Sequence, residues 1–271
     1  MSGPALDVVD LAKRYGQFAA VHGVTFSVPM GSVVGLLGPN GSGKSSVLHS
    51  LTGVVSPTSG RVLLCGHPHD SAAAKALLGF VPDDLALPMS LTGHEYLDLV
   101  RRLQPAADMT LGAELVELLN LGHALGRLVA EYSHGMKRKI QVIAALMHRP
   151  GLLVLDEPFR GLDPEAHLIL RRIISSFVGD GGGVLVATHD LSAAQGYCDS
   201  VVVVSDGRVV AQGPPPDLIR EWRQESLVGV FLAATGLQAR THEVQARLSR
   251  LLLTDRGRRD HDLAASRQRG D

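Results

Sequence analysis

The sequence predicts an α/β protein in which a block of helices is inserted into a strand-rich core. Short apolar runs punctuated by glycine dominate the first third of the chain and return after residue 150. Between about residues 90 and 149 the apolar residues recur at helical spacing instead. Because strands are predicted on both sides of these helices, we expect an insertion within the core rather than a separate following domain.

The predicted strands are short and mostly apolar. The run 33–37 is almost entirely apolar, which is typical of a strand covered on both faces, and it leads into a glycine-rich loop followed by a helix at Ser45–Leu51. The strands are predicted at Leu6–Val9, Val24–Val28, Val33–Leu37, Arg61–Leu64, Gly79–Val81, Leu152–Leu155, Val184–Thr188, Val201–Val204 and Arg208–Ala211.

The inserted block is predicted to be helical at Glu95–Leu103 and Leu111–Leu121. A third helix carries an apolar stripe of Met136, Ile140, Ile143 and Met147, and Pro150 is expected to end it.

Beyond Pro216 the pattern weakens. We expect one α/β domain at residues 5–216, with its insertion at about 90–149, and a helical extension at 217–254. Within that extension, Asp217–Gly236 and Val244–Leu253 are the helical stretches. Residues 255–271 contain five arginines and four aspartates among few apolar side chains, which predicts a disordered tail.

Composition excludes several classes of protein. The 271 residues are 45% hydrophobic with a net charge of −1, which gives no general attraction to nucleic acid. No apolar run reaches the roughly 18 residues that cross a bilayer, and the N-terminus lacks a signal-peptide pattern. Cys65 and Cys198 have no metal-ligand spacing, which favours a reducing compartment. We expect a soluble protein that needs another subunit to reach a membrane.

The segment Gly38–Ser45 reads GPNGSGKS and fits the phosphate-binding pattern called Walker A. Its backbone N–H groups are expected to surround phosphates, Lys44 to reach the β- and γ-phosphates, and Ser45 to contact Mg²⁺. The nucleotide-binding residues predicted here are Gly38, Pro39, Asn40, Gly41, Ser42, Gly43, Lys44, Ser45 and Ser46.

Two acidic residues follow the apolar run at 152–155. Asp156 and Glu157 should lie at the carboxyl end of a buried strand, where parallel sheets place ligand chemistry. Asp156 is suited to hold Mg²⁺ and Glu157 to polarise an attacking water. The pattern therefore predicts hydrolysis of a nucleoside triphosphate.

A third segment, Ser133-His134-Gly135, opens the helix with the apolar stripe. A serine at a helix start presents a hydroxyl and free N–H groups, which suits an anion, although an ordinary N-cap has the same appearance.

In this order, GPNGSGKS, YSHGMKRK, LLVLDEPFRGLD and ATHD resemble the nucleotide-binding subunit of ATP-binding cassette (ABC) transporters over roughly residues 5–215. The resemblance implies a P-loop NTPase core with a mixed sheet, an N-terminal antiparallel β subdomain and an inserted α-helical subdomain. It also implies a head-to-tail dimer, in which the Ser133 segment of one copy caps ATP held by Lys44 of the other.

The resemblance assigns further roles by position. Tyr15 resembles the aromatic residue that stacks on adenine, and Asp163 the acidic residue that communicates across the dimer. His189 resembles the histidine that contacts the γ-phosphate and orients the water beside Glu157. The catalytic set is then Glu157, His189 and Lys44, and ATP and Mg²⁺ are the cofactors.

The chain departs from the family pattern at four places. Asp83 stands where the family usually has glutamine, and it could bind Mg²⁺ with a shorter reach. His134 replaces a glycine, Met136 a glutamine, and Arg160 a serine or asparagine.

The variant YSHGMK and the acid that follows Val81 and Pro82, together with VFLAATG at 230–236, resemble the subgroup (ABC-2 type) that serves drug, polysaccharide and lipid exporters. We therefore expect an exporter ATPase at the cytoplasmic face of the cell membrane. It should form a homodimer, or a heterodimer with a similar ATPase subunit. This dimer should work with a separate transmembrane permease and without nucleic acid. An importer subunit, or a DNA-repair or ribosome-associated switch of the same fold, remains the alternative.

Overall fold

The computed structural model describes residues 3–83 and 87–237, together with Val244 and Arg247. Its strands are β1 (Leu6–Tyr15), β2 (Phe18–Val28), β3 (Val33–Leu37), β4 (Ser59–Leu64), β5 (His67–Pro68), β6 (Leu78–Val81), β7 (Leu152–Asp156), β8 (Gly183–Ala187), β9 (Ser200–Ser205) and β10 (Arg208–Gly213). Its α-helices are α1 (Lys44–Leu51), α2 (Ala72–Ala76), α3 (Gly93–Leu103), α4 (Met109–Leu118), α5 (His134–Leu146), α6 (Pro164–Gly179), α7 (Leu191–Tyr197), α8 (Pro215–Glu221) and α9 (Leu227–Ala234).

The core of the fold is a six-stranded sheet with the order β10-β9-β3-β8-β7-β6. Every neighbouring pair is parallel except β9 and β10, so the sheet is mixed, as predicted. Side chains alternate across it: Val33 and Leu37 of β3 pack into one hydrophobic cluster, whereas Val34 and Leu36 pack into another. Apolar side chains on both faces explain why β3 has almost no polar residue.

A second sheet lies on one side of this core. Its order is β2-β1-β4-β5, and its neighbouring strands are antiparallel. Leu6 and Leu11 of β1 share a hydrophobic cluster with Leu48 and Leu51 of α1. The helix that follows the phosphate loop is therefore packed by the antiparallel sheet, which fixes the direction in which α1 leaves β3.

The helices α3, α4 and α5 lie between β6 and β7 in the chain, which confirms the inserted helical subdomain. Thr92 and Glu95 form a reciprocal capping box at the start of α3. Most of the predicted stripe is buried: Ile140 and Ile143 of α5 and Met147 at its C-cap are fully inaccessible to solvent and pack against the core. Met136 is partly buried against the same core. This buried face holds α5, and therefore the segment at its N-terminus, on the core sheet.

Three helix ends differ from the sequence prediction. Helix α4 ends at Leu118 rather than Leu121, because Asn120 adopts a left-handed φ of 49°. Helix α5 ends at Leu146, before Pro150 is reached. The stretch Asp217–Gly236 forms parts of two helices instead of one. Arg223 has a left-handed φ of 54°, which interrupts the helix after α8, and a new helix, α9, begins at Leu227.

Some elements were not predicted, and some predictions fall outside the described residues. The strand β5 and the helices α2, α6 and α7 had no counterpart in the sequence analysis. The predicted helix at Val244–Leu253, apart from Val244 and Arg247, and the predicted tail at 255–271 lie outside the described residues. In the described part of the chain, no helix combines the length and apolar character that crossing a bilayer requires.

Candidate nucleotide site

The glycine-rich loop between β3 and α1 places Lys44 at the first position of α1. Lys44 Nζ donates hydrogen bonds to the carbonyl oxygens of Gly38 at 2.6 Å and Pro39 at 3.1 Å. Burial lowers the pKa of the Lys44 ammonium, and the carboxylates of Glu157 and Asp156 act in the opposite direction. The partly buried ammonium is therefore held by neutral carbonyls, which a phosphate oxygen would replace with a stronger, charge-assisted partner.

Two glycines of this loop are required by its geometry. A Cβ atom on Gly38 would overlap the carbonyl oxygen of Val204. Gly43 has a φ of 103°, and a Cβ atom there would lie 2.5 Å from the carbonyl oxygen of Ala20. The loop is thus pressed against β9 and β2, and side chains at these two positions would displace it.

The other residues of the loop differ in their exposure. Asn40 and Gly41 are exposed at its tip, Ser45 is exposed in the first turn of α1, and Ser46 is partly buried. Ser42 is 3% exposed, and its Oγ atom has no hydrogen-bond partner among the described residues. Asn40, Gly41 and Ser45 are therefore the most accessible residues of the loop.

The predicted carboxylates lie where β7 ends. Asp156 is the last residue of β7, and Glu157 follows with a φ of 47°, which is rare for a residue with a side chain. Glu157 Oε1 accepts a hydrogen bond from His189 N at 2.9 Å and lies 2.7 Å from His189 Nδ1. Its Oε2 atom accepts from Thr188 Oγ1 at 3.1 Å. The end of β8 therefore orients the Glu157 carboxylate, and the strained backbone is of the kind found at functional sites.

The segment at the start of α5 lies beside a different part of the core. Ser133 is exposed and caps α5, its Oγ atom accepting a hydrogen bond from Met136 N at 3.2 Å. His134 is also exposed. A Cβ atom on Gly135 would lie 2.9 Å from the carbonyl oxygen of Gly161, so α5 begins in close contact with the loop after β7.

Two more predicted residues lie at the ends of elements. Asp163 caps α6 by accepting from Ala166 N at 2.8 Å, and this hydrogen bond lowers the pKa of its carboxyl group. Lys139 Nζ of α5 approaches Asp163 at 3.7 Å. Tyr15 ends β1, is 45% exposed, and has the Lys13 ammonium 5.0 Å from its ring centroid.

The family model described as ABC transporter matches residues 21–160, which is just over half of the chain. The matched part contains the phosphate loop, the start of α5 and both carboxylates at the end of β7. The chain belongs to the ABC transporter family. Members of this family bind and hydrolyse ATP, and this chain is accordingly an ATPase of the ATP-binding cassette type.

Several known proteins are similar to this chain in sequence or in structure. The Nod factor export ATP-binding protein I of Burkholderia orbicola (strain AU 1054) is 38% identical over 224 residues, covering 81% of this chain and 74% of the relative. The protein of the same name from Ralstonia nicotianae is 39% identical over 224 residues, covering 80% and 70%. A solved structure of the ATP binding subunit of an ABC transporter has a TM-score of 0.81 at 31% identity, covering 85% of this chain and 99% of that one.

The acidic side of the cassette fits a divalent cation. Burial, followed by the carboxylates of Asp83 and Glu157, raises the pKa of Asp156 to about 6, although Lys44 and Arg138 oppose this. A cation bound beside Asp156 would relieve that repulsion. Among the described residues no group of three or more acidic, histidine or cysteine side chains forms a metal cage. Mg²⁺ does not need one, because it commonly combines one or two carboxylates with substrate phosphates and water.

Asp83 was predicted to contact Mg²⁺, but in the structure its carboxylate is paired with two arginines. Its Oδ1 atom accepts from Arg138 Nη2 at 3.1 Å, and its Oδ2 atom accepts from Arg160 Nη1 at 2.7 Å. Both carboxylate oxygens are therefore engaged by guanidinium groups. Contact of Asp83 with Mg²⁺ remains a prediction, and it would require at least one of these ion pairs to open.

Sequence reasoning missed two residues of the site. Thr188 hydrogen-bonds Glu157, and its position directly before His189 in ATHD was the available signal. Arg138 had no signal, because an arginine in an amphipathic helix normally faces solvent, whereas here its side chain is 6% exposed.

Proposed function

We propose that this cassette is the ATP-hydrolysing subunit of an export system, in which a separate transmembrane partner carries the cargo. The observation that carries the hydrolytic part is the Glu157 carboxylate, held by Thr188 and His189 at the strand end next to the Lys44 loop. The names of the relatives, which are export ATP-binding proteins, favour export over import or a non-transport role.

The chemistry follows from what each side chain can do. Lys44 would bind the β- and γ-phosphates, while Ser45 and Asp156 would hold Mg²⁺, directly or through water. Bound Mg²⁺ would neutralise charge on the phosphates. Glu157 would accept a proton from, and orient, the attacking water, and His189 would keep the carboxylate aimed while it contacts the γ-phosphate.

We infer that a second copy completes each site. Ser133 is exposed at the N-terminus of a 13-residue helix whose dipole and free N–H groups suit an anion. Its own chain binds phosphate at a different place, the N-terminus of α1. A head-to-tail pair would bring Ser133 of one copy over the Lys44 loop of the other, and a heterodimer with a similar ATPase would do the same.

The membrane partner would dock beside the inserted helices, at the cytoplasmic face of the cell membrane. A cleft of about 420 Å³ lies there, lined among others by Leu87, Met89, Lys137 and Gln141. Met89 is 43% exposed and lines this cleft, so its side chain is accessible to a docking surface. The cleft lies between the core and the inserted helices, so a movement of a membrane subunit docked there would be transmitted to both.

Cross-linking tests this docking. Met89→Cys, in a chain whose partly exposed Cys65 is changed to Ser, should cross-link to the co-expressed membrane subunit. Leu168→Cys, on the exposed face of α6, is the matched control and should not.

Transport in inverted membrane vesicles tests the function itself. Cargo uptake should require ATP and should stop in Glu157→Gln. Uptake that continues without ATP hydrolysis, or a chain that never captures a membrane protein, would refute the export proposal.

A further inference from the structure

Two of the positions at which this chain departs from the family pattern contact each other. Asp83 and Arg160 are 77 residues apart in sequence, yet Arg160 Nη1 donates to Asp83 Oδ2 at 2.7 Å. A glutamine at one position or a serine at the other could not form this ion pair. The pair is therefore a feature of this chain that the general ATPase mechanism does not use.

The Asp83 carboxylate is fixed from its other side. Arg138 of α5 donates to Asp83 Oδ1 at 3.1 Å and to the carbonyl oxygen of Pro82 at 2.6 Å. The Arg138 side chain is 6% exposed and that of Asp83 is 24% exposed. A buried guanidinium that lost its carboxylate would be costly, so Arg138 anchors Asp83 firmly. Asp83 is in this way a rigid acceptor for Arg160.

Arg160 is coupled in turn to the catalytic carboxylate. Its backbone N–H donates to the carbonyl oxygen of Glu157 at 3.1 Å, which closes a turn directly after β7. Glu157 itself has a strained φ of 47°, and such a conformation persists only where its surroundings hold it. One hydrogen-bonded path thus runs from Asp83 through Arg160 to the backbone of Glu157.

We propose that Arg160 is a positioning residue for hydrolysis, and that its ion pair with Asp83 holds the turn that carries Glu157. Asp83 then acts as the anchor of this turn rather than through Mg²⁺. The inference deepens the proposed ATPase function and rests on the role of Glu157 as the base.

The size of the effect follows from exposure. The Arg160 side chain is 66% exposed, so its ion pair is screened by water and salt. Arg160→Met should lower kcat about two- to fivefold at low salt, the range that an exposed ion pair supports, and leave the KM for ATP unchanged. Arg160→Lys, which keeps the positive charge, should retain most of the kcat that Arg160→Met loses. Arg172→Met, an exposed arginine of α6, is the matched control.

A double-mutant cycle on the purified full chain is the test. In an Asp83→Asn background, Arg160→Met should have no further effect, either on kcat or on urea unfolding measured without nucleotide and Mg²⁺. The Mg²⁺ concentration for half-maximal activity should be the same in Asp83→Ala, whose side chain has no oxygen to bind a cation, as in the unchanged chain. Raising the salt concentration should reduce the difference in kcat between the unchanged chain and Arg160→Met, because salt screens the ion pair.

Three results would overturn the proposal: additive effects of the two substitutions, a rise in KM in place of a fall in kcat, or a shifted Mg²⁺ requirement in Asp83→Ala. The unfolding measurement needs no activity, so it distinguishes a missing ion pair from an inactive preparation. Because none of these assays contains a membrane partner, failure here leaves the export proposal untouched, and failure of export leaves this pair untouched.

Discussion

Replacing Glu157 with glutamine removes the proposed base while keeping the length of the side chain. In the structure the carboxylate accepts from Thr188 Oγ1 and from His189 N. Glutamine keeps one acceptor oxygen for the backbone N–H group, and the threonine hydroxyl can turn to accept from the new amide. The net loss in the free energy of unfolding should therefore stay within about 1 kcal/mol. The loss in catalysis should be far larger, since general-base assistance contributes about a hundred- to ten-thousand-fold.

Single-turnover release of phosphate measures the chemical step in this variant, and a fluorescent ATP analogue measures binding. We expect phosphate release to fall at least about a hundredfold, with ATP affinity unchanged within about threefold. Glu114→Gln, an exposed glutamate of α4, makes the same chemical change away from the site and should keep full activity. If Glu157→Gln retained more than about a tenth of normal turnover, a general base at this position would be excluded.

Three further predictions concern the same site. Lys44→Ala should weaken ATP binding at least about tenfold, measured by equilibrium titration, because a charge-assisted phosphate contact is lost. Gly43→Ala should destabilise the fold to urea by about 2–3 kcal/mol, because a Cβ atom there combines a left-handed φ with contact to backbone, whereas Gly41→Ala, which also has a positive φ but open space, should cost about 1 kcal/mol. Asp156 has a folded pKa raised to about 6, so the folded chain binds more protons than the unfolded chain between about pH 4 and 6, and stability without Mg²⁺ should fall as pH rises through that window. Asp156→Asn should remove this pH dependence and raise the free energy of unfolding at pH 8 by about 1–2 kcal/mol, a range reduced for partial solvent exposure. A pH profile of stability that is unchanged in Asp156→Asn would contradict this prediction.

Apolar strands and glycine-rich loops could be predicted from the sequence because their causes are local. The alternation of Val33, Val34, Leu36 and Leu37 across two hydrophobic clusters requires an apolar run, and that run is visible in the sequence. The order of the motifs predicted which residues would lie at the strand ends. Asp156 and Glu157 do lie there, beside the end of β8.

Long-range polar contacts could not be predicted in the same way. Asp83 pairs with Arg138, which is 55 positions away in the sequence, and with Arg160, which is 77 positions away. Nothing in the local sequence pattern indicates either pair. Helix ends set by a single left-handed residue were also missed. Asn120 carried a signal, because asparagine adopts this conformation more readily than most residues with a side chain, whereas Arg223 carried none.

A mixing experiment tests most directly whether two chains share each site. Lys44→Ala and Ser133→Ala should each be inactive as pure proteins. In a dimer containing one of each, one site combines the intact Lys44 loop with the intact Ser133 segment, and the other site lacks both. Equal mixing should therefore restore about a quarter of normal ATPase activity, if pairing is random and each site works independently. A mixture that stays as inactive as its two components, although dimers are shown to exchange, would contradict the shared site.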